Sequence, residues 1–190
     1  MGVTPSGARP GLGRVAGLVI MVAVAVLVFA LDQATKAWVT SNMLSHEVRP
    51  LVEGLVRLRY TENTGAAFGL FQGGTLALSV AAAAIIGGIV LSVTRMGAGS
   101  PALMLALALV LGGAIGNLSD RLRLGYVVDF IEVYALRADI RGTVYTFPVF
   151  NVADSAITVG VIVLGLSLLL RDPDAAPAHP PAQTEVGEQH

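Results

Sequence analysis

The chain has 190 residues, of which 54% are hydrophobic and only 13% are charged, and its formal net charge is −1. Soluble domains carry about a quarter charged residues, so this composition, with a mean hydropathy of +0.73, indicates a membrane protein. The absence of cysteine excludes disulfides, thiolate metal sites and a cysteine nucleophile. A pI near 6.3 gives no sign of a nucleic-acid partner, and none is expected.

Four apolar stretches reach the roughly 20 residues that a helix needs to cross a bilayer. They predict spans over about 15–39, 76–94, 101–118 and 152–170. The first stretch is longer than the apolar core of a cleaved signal peptide, and Asp32, Gln33 and Lys36 continue its helical pattern. We therefore expect it to be retained as a span. Each stretch must be helical in lipid, because its backbone has no other hydrogen-bond partner there.

The connections between the spans predict the membrane topology. Four spans place both termini on one side and the two long connections, 40–75 and 119–151, on the other. A count of Lys and Arg over the whole chain argues against cytoplasmic termini, whereas the charges beside the first helix favour them. We expect cytoplasmic termini, with 1–14 as an N-terminal tail, 15–170 as the membrane domain and 171–190 as a disordered C-terminal tail.

The long connections carry strand-like patterns. Leu55–Tyr60 alternates apolar and polar residues with a period of two, and Tyr126–Tyr134 and Thr143–Phe150 are rich in β-branched and aromatic residues. We expect a small sheet beside the helix ends. The predicted fold class is therefore mainly α, integral membrane, with four transmembrane helices and a small extracytoplasmic β-sheet subdomain.

Ionisable and amide side chains collect at one end of the predicted spans. Such groups are costly inside a membrane, and by default they suggest function. The topology brings the end of span one, the end of span three and the start of span four to the same membrane face. The members of this group are Asp32, Lys36, Asn117, Asp120, Arg121, Asp129, Asn151 and Asp154.

Several members also have a purely structural interpretation. Asn151 followed three residues later by Asp154 is typical of a cap at a helix start. Asp32 and Lys36 have the spacing of an ion pair between successive helical turns. Arg121 is placed where a long side chain reaches lipid headgroups.

Asp129 is harder to explain structurally, because a carboxylate among Val, Phe and Ile would be poorly solvated. No histidine pattern supports a Ser–His site, and the His-Glu-x-x-His zinc motif is absent. A Ser–Lys dyad stays open and would have to use Lys36, the only lysine. The other hydrolytic option is a pair of aspartates sharing one proton, one acting on water and the other on the scissile carbonyl.

A non-enzymatic four-helix transporter or channel subunit is an alternative from a different class. It also accounts for charges within a membrane, but it predicts carboxylates along a path through the bilayer. This sequence has them at one face, and no internal repeat is evident.

Five ordered blocks of sequence resemble the lipoprotein signal peptidases (signal peptidase II) of bacteria. The blocks are Asp32-Gln-Ala-Thr-Lys36, Asn63-Thr-Gly-Ala-Ala-Phe-Gly69, Gly112-Gly-Ala-Ile-Gly-Asn-Leu-Ser-Asp-Arg121, Val127-Val-Asp-Phe130 and Phe147-Pro-Val-Phe-Asn-Val-Ala-Asp-Ser155. Each block alone is weakly specific. Their order and spacing over about 125 residues make the resemblance specific.

The resemblance implies a membrane aspartic endopeptidase that cleaves a prolipoprotein just before its diacylglyceryl-modified cysteine, without a metal or another cofactor. The implied catalytic residues are Asp129 and Asp154. The implied substrate-binding residues are Asn63, Asn117, Arg121 and Asn151. The implied supporting residues are Asp32, Lys36, Gly113 and Asp120.

The resemblance also implies partners and a location. The expected partners are a prolipoprotein carrying diacylglyceryl-cysteine, membrane lipids and a globomycin-type inhibitor, and the chain is expected to be a monomer. The expected location is the bacterial inner membrane, with several spans, both termini in the cytoplasm and the active site near the outer leaflet.

Overall fold

The computed structural model of the chain describes residues 12–65, 74–96, 100–135, 137–140 and 143–170. The predicted C-terminal tail, most of the predicted N-terminal tail, and the end of the second sequence block from residue 66 lie outside the described residues.

The four apolar stretches form four long helices. These are α1 (Leu12–Asn42), α2 (Gly74–Met96), α3 (Pro101–Leu124) and α4 (Val152–Leu169). Each is long and apolar enough to cross a membrane, so the predicted four-span, mainly helical fold class is confirmed. The first and third helices continue past the predicted ends of their spans, because helical structure does not stop where the hydropathy falls.

Local capping chemistry fixes both ends of α3. Ser100 accepts a hydrogen bond from the Leu103 amide, and Pro101 occupies the first helical turn, where its missing N–H costs nothing. At the other end Gly125 adopts a left-handed conformation with φ of 84°, and its N–H bonds to the Arg121 carbonyl. The helix therefore delivers the chain directly into the strand that follows.

The third helix is central to the bundle. Buried residues make up 56% of its membrane-spanning window, against at most 17% in the other three helices. Small residues permit its close packing: a methyl group on Gly112 would lie 2.6 Å from the Ala25 carbonyl oxygen, and one on Gly113 would lie 2.5 Å from the Ala153 carbonyl oxygen. Backbones in contact through glycine are typical of membrane helix pairs.

Two small antiparallel sheets accompany the helices. A three-stranded sheet has the order β1-β2-β3, and the remaining two strands, β4 and β5, pair with each other. The strands are β1 (Val48–Val52), β2 (Val56–Asn63), β3 (Val127–Val133), β4 (Arg137–Ile140) and β5 (Thr143–Thr146). The predicted small sheet is confirmed, but the strand patterns did not indicate β1 or β4. Pro50 interrupts β1, and such a residue fits an edge strand only.

The packing of β2 and β3 against α1 positions the site. Val39 and Met43 of α1 form a hydrophobic cluster with Tyr60, Val128 and Phe130 of the sheet. A bulge in β2 lies next to the pairing of Thr61 with Asp129. Bulges are common beside active sites, because they turn a side chain toward a new direction.

Candidate active site

A polar cluster lies where α1, α3, α4 and β3 meet. The structure brings together residues that are far apart in sequence and buries most of their side chains. Six polar or charged members are at most 6% exposed: Asp32, Lys36, Asn117, Asp120, Asp129 and Asn151. Such burial requires every charge and amide to have partners.

Lys36 contacts the other members of one half of the polar cluster. Its ammonium lies 2.8 Å from Asp32 Oδ2 and 2.8 Å from Asp120 Oδ2, and it donates to Asn117 Oδ1 at 3.0 Å. These three acceptors use all three N–H groups of the ammonium. The predicted ion pair with Asp32 therefore exists, but it is buried and shared with a second carboxylate. In the described part of the chain Lys36 bonds no serine, which speaks against the Ser–Lys alternative.

The two carboxylates beside Lys36 also hold backbone amides. Asp32 Oδ1 accepts from the Ala153 amide at 3.0 Å, which joins α1 to the start of α4. Asp120 Oδ2 accepts from the Val128 amide at 3.3 Å, which joins α3 to β3. Gly116 leaves the space for Asp32, because a methyl group there would lie 2.6 Å from Asp32 Oδ2.

Asn117 connects this half to the second half of the cluster. Its Oδ1 accepts from Lys36 and, at 3.1 Å, from Asn151 Nδ2. Its Nδ2 donates to Asp154 Oδ1 at 2.7 Å. Because donors surround the oxygen and a carboxylate faces the nitrogen, the orientation of the amide follows from the network.

Asn151 and Asp154 form the capping arrangement that their spacing predicts. The Asp154 amide donates to Asn151 Oδ1 at 2.8 Å, and the Asn151 amide donates to Asp154 Oδ2 at 3.2 Å. The Asn151 side chain also donates to Asp129 Oδ1 at 2.7 Å. One residue therefore caps α4 and hydrogen-bonds both Asp129 and Asp154.

Asp129 is held by amides and is almost inaccessible. Its second oxygen accepts from Asn63 Nδ2 at 2.8 Å, and Asn63 Oδ1 accepts in turn from the Gly65 amide at 2.8 Å. Burial raises the pKa of Asp129 to about 6; the charge of Asp154 acts in the same direction, and the amide hydrogen bonds and Lys36 oppose it. Only the small exposed part of Asp129 borders an open cavity of about 250 Å³, which the end of β2 also lines.

Arg121 is partly buried and lies one helical turn after Asn117 in α3. It donates to the Asn117 carbonyl at 3.4 Å, and its Nε is buried without a hydrogen-bond partner among the residues that the structure describes. A side chain that only reached lipid headgroups would keep this atom in water. A buried donor without a partner is costly, so Arg121 is suited to bind an acceptor from a ligand.

Gln33 is a member of the cluster that the sequence analysis did not select. Its side-chain nitrogen donates to Asp120 Oδ1 at 3.0 Å and lies 3.2 Å from Asp32 Oδ2, and its oxygen accepts from Arg123 at 3.2 Å. The available signal was its position between Asp32 and Lys36, where the long apolar run of the helix has ended.

Comparisons with known proteins agree on one family. The family model described as signal peptidase (SPase) II matches residues 24–170. The chain is 40% identical over 148 residues to the lipoprotein signal peptidase of Shouchella clausii, covering 78% of this chain and 91% of that protein. It is 43% identical over 147 residues to the lipoprotein signal peptidase of Moorella thermoacetica, covering 77% and 90%.

A solved structure described as a bacterial membrane enzyme at 1.9 Å resolution has the same fold. It matches with a TM-score of 0.71 and 28% sequence identity, over 86% of this chain and 97% of the other. The sequence match and the fold match both cover most of the chain, and the family model runs from within α1 to the end of α4. The chain therefore belongs to the signal peptidase (SPase) II family.

Proposed function

We propose that the chain removes signal peptides from prolipoproteins by cleaving before a diacylglyceryl-modified cysteine, with Asp129 and Asp154 as the catalytic pair. Membership in an aspartic peptidase family whose relatives are named lipoprotein signal peptidases supports the reaction and the substrate class. The observation that carries the pairing is the position of Asn151, which hydrogen-bonds one oxygen of each carboxyl group.

The reaction needs a water molecule between the two carboxyl groups. One carboxylate removes a proton from the water, which attacks the scissile carbonyl, while the other carboxyl group donates its proton to the carbonyl oxygen. As the C–N bond then breaks, the first carboxyl group gives the proton it took to the leaving nitrogen, and the second recovers a proton from the intermediate. A pKa raised to about 6 keeps Asp129 partly protonated at weakly acidic to neutral pH, which supports a pair that can hold one proton. The protonation steps belong to the pair as a whole.

Neutral amides fit the surroundings of such a pair. Asn63 and Asn117 each donate one N–H to a carboxyl oxygen and bring no charge that would compete for the shared proton. In this proposal Asn63, Asn117 and Asn151 also bind the extended substrate backbone. The buried Nε of Arg121 binds a substrate carbonyl or an inhibitor of the globomycin type.

In this proposal the supporting residues position the catalytic aspartates without touching them. Lys36 holds Asn117, and Asn117 holds Asp154, so the ammonium orients a catalytic side chain without touching it. Asp32 and Asp120 fix the starts of α4 and β3, which carry Asp154 and Asp129. Gly113 permits the contact between α3 and α4.

The family and the four apolar helices make the chain a bacterial multi-pass membrane protein. The further topology is part of the proposal: both termini are cytoplasmic, the sheets are extracytoplasmic, and the aspartates lie near the outer leaflet. A substrate anchored by its diacylglyceryl group would then reach the pair sideways through the lipid. Reporter fusions to each terminus and to residue 53 in the β1–β2 turn would test this orientation.

The decisive experiment uses purified protein in detergent with a diacylglyceryl-cysteine precursor. Asp129→Asn and Asp154→Asn should each abolish cleavage while the protein remains folded, and Glu53→Gln, at an exposed acidic residue in the β1–β2 turn, is the matched control. Full cleavage by either aspartate variant would refute the two-aspartate mechanism. A chelator should leave the rate unchanged, and a loss restored by zinc would show a metal enzyme instead.

A further inference from the structure

Three arginines gather at the end of β2 and β3 that is distant from the aspartates. Arg57 makes a two-pronged ion pair with Glu132 at 2.6 and 3.0 Å, and Arg59 approaches the same carboxylate at 3.4 Å. The guanidinium groups of Arg57 and Arg137 lie 4.1 and 4.3 Å from the ring centroid of Tyr134. We call this group the arginine patch. Two of its arginines share the Glu132 carboxylate, and the third lies with Arg57 against the Tyr134 ring.

The arginine side chains of the patch are at least partly exposed to solvent, whereas the carboxylate that pairs with two of them is buried. The side chain of Glu132 is fully buried, but that of Arg59 is 40% exposed and Arg137 is also exposed. The guanidinium of Arg137 lies over the Tyr134 ring. The planar fork of a guanidinium matches the oxygens of a phosphate, so donors remain available for an anion.

An apolar groove adjoins the arginine patch. It has a volume of about 230 Å³ and is lined by residues of the β1–β2 hairpin, among them Val48, Val52 and Leu55, together with Arg57 and Tyr134. The acidic Glu53 also lines the groove. The groove and the arginine patch together still carry a net positive charge, because three arginines outnumber Glu53 and Glu132.

The hairpin exposes large apolar side chains beside the groove. Leu51 is 64% exposed and Leu55 is 53% exposed. In water this exposure is unfavourable, at about 25 cal/mol for each Å² of apolar surface. Apolar side chains beside arginines are typical of a surface that lies in the membrane interface.

We propose that the arginine patch and the adjoining groove bind an anionic phospholipid, with its phosphate on the guanidinium groups and the upper part of its acyl chain in the groove. The sheet follows directly on α1 and α3, and its contact with α1 keeps it next to the membrane. Each arginine near an anionic lipid surface contributes about 1 kcal/mol, or about fivefold in affinity. The proposal depends on the membrane location and not on the chemistry assigned to the aspartates.

The test uses the full chain in a neutral detergent with dihexanoyl phosphatidylglycerol and, as a zwitterionic comparison, dihexanoyl phosphatidylcholine. Native mass spectrometry counts the bound lipid, and titration gives the apparent Kd. Phosphatidylglycerol should bind at least tenfold more tightly than phosphatidylcholine. Arg137→Gln and Arg59→Gln should each weaken phosphatidylglycerol binding about fivefold, the loss expected for one interfacial arginine. Leu51→Ser with Leu55→Ser should weaken binding of both lipids.

Arg49→Gln is the matched control, because Arg49 lies in the same hairpin but pairs with Glu47 outside the arginine patch. It should leave both affinities unchanged. Equal binding of the two lipids, or equal losses in Arg137→Gln and Arg49→Gln, would overturn the proposal. Displacement of the lipid by inorganic phosphate at the same concentration would also overturn it, because the site would then be a simple anion site.

Discussion

Replacement of Lys36 by methionine should strongly destabilise the fold. Methionine has nearly the same length but no charge, so Asp32 and Asp120 would lose the ammonium that lies 2.8 Å from each. Both carboxylates are at most 2% exposed, and water cannot replace the lost partner. Removal of one member of a buried ion pair costs about 3 to 5 kcal/mol. For a chain of this size the loss corresponds to a fall in Tm of about 6 to 20 °C.

Thermal unfolding in detergent, followed by circular dichroism, measures this effect. The matched control is Arg49→Met, which removes an exposed ion pair with Glu47 and should cost less than about 1 kcal/mol. The double variant Asp32→Asn with Lys36→Met should recover part of the loss, because it removes one of the two uncompensated charges. Equal stability of Lys36→Met and Arg49→Met would refute the role assigned to the buried ammonium.

Three further predictions address the aspartates and their supports. Asp129→Asn should gain about 3 kcal/mol of stability relative to the wild type as the pH rises from about 4 to 7. The pKa of Asp129 is near 6 in the folded state, above its usual 3.8, so the wild type loses stability as this carboxyl group ionises and the variant does not. A Tm difference independent of pH would contradict this. Asn151→Ser should keep the cap of α4 and most of the stability but lose cleavage, whereas Asn151→Ala should lose cleavage and about 1 kcal/mol of stability as well. A cleavage assay and thermal unfolding measure the two effects separately. Full cleavage by Asn151→Ser would count against a role for the Asn151 side chain in holding the aspartate pair. Gly113→Val should lower stability by about 1 to 3 kcal/mol through its clash with the Ala153 carbonyl, and Gly165→Val in α4, where a side chain meets no neighbour, should not; equal Tm values for the two would exclude the close helix contact.

Local periodicity was enough to predict part of the site. Asp32 and Lys36 are four residues apart on a helix, and Asn151 and Asp154 are three apart, so each pair must share a face. The spans followed from hydropathy, because a bilayer demands long apolar helices. These predictions needed no knowledge of which helices pack together.

Partners from distant parts of the chain could not be predicted in the same way. The bond from Asn63 to Asp129 joins residues 66 positions apart, and it depends on a bulge in β2 that no sequence pattern indicated. The second ion pair of Lys36, with Asp120, depends on the contact between α1 and α3. The edge strand β1 was missed because Pro50 weakens its strand signal, although a proline is acceptable where one side of a strand has no partner.

Four aspartates lie in one cluster, and their partners divide them into two chemical classes. Asp32 and Asp120 each contact the Lys36 ammonium and each accept a hydrogen bond from a backbone amide, so they serve as fixed structural acceptors. The hydrogen bonds to Asp129 and Asp154 in the described structure come from uncharged groups, the side chains of three asparagines and one backbone amide. Asn117 connects the two groups of aspartates, because its side-chain oxygen accepts from the Lys36 ammonium and its side-chain nitrogen donates to Asp154. A cation in direct contact with the second pair would favour two ionised carboxylates and remove the proton that acid catalysis needs. The Asn117 amide links Lys36 to Asp154 without placing the ammonium against that carboxyl group. In the proposed function, this separation lets one buried cluster both stabilise the fold and hold the aspartate pair.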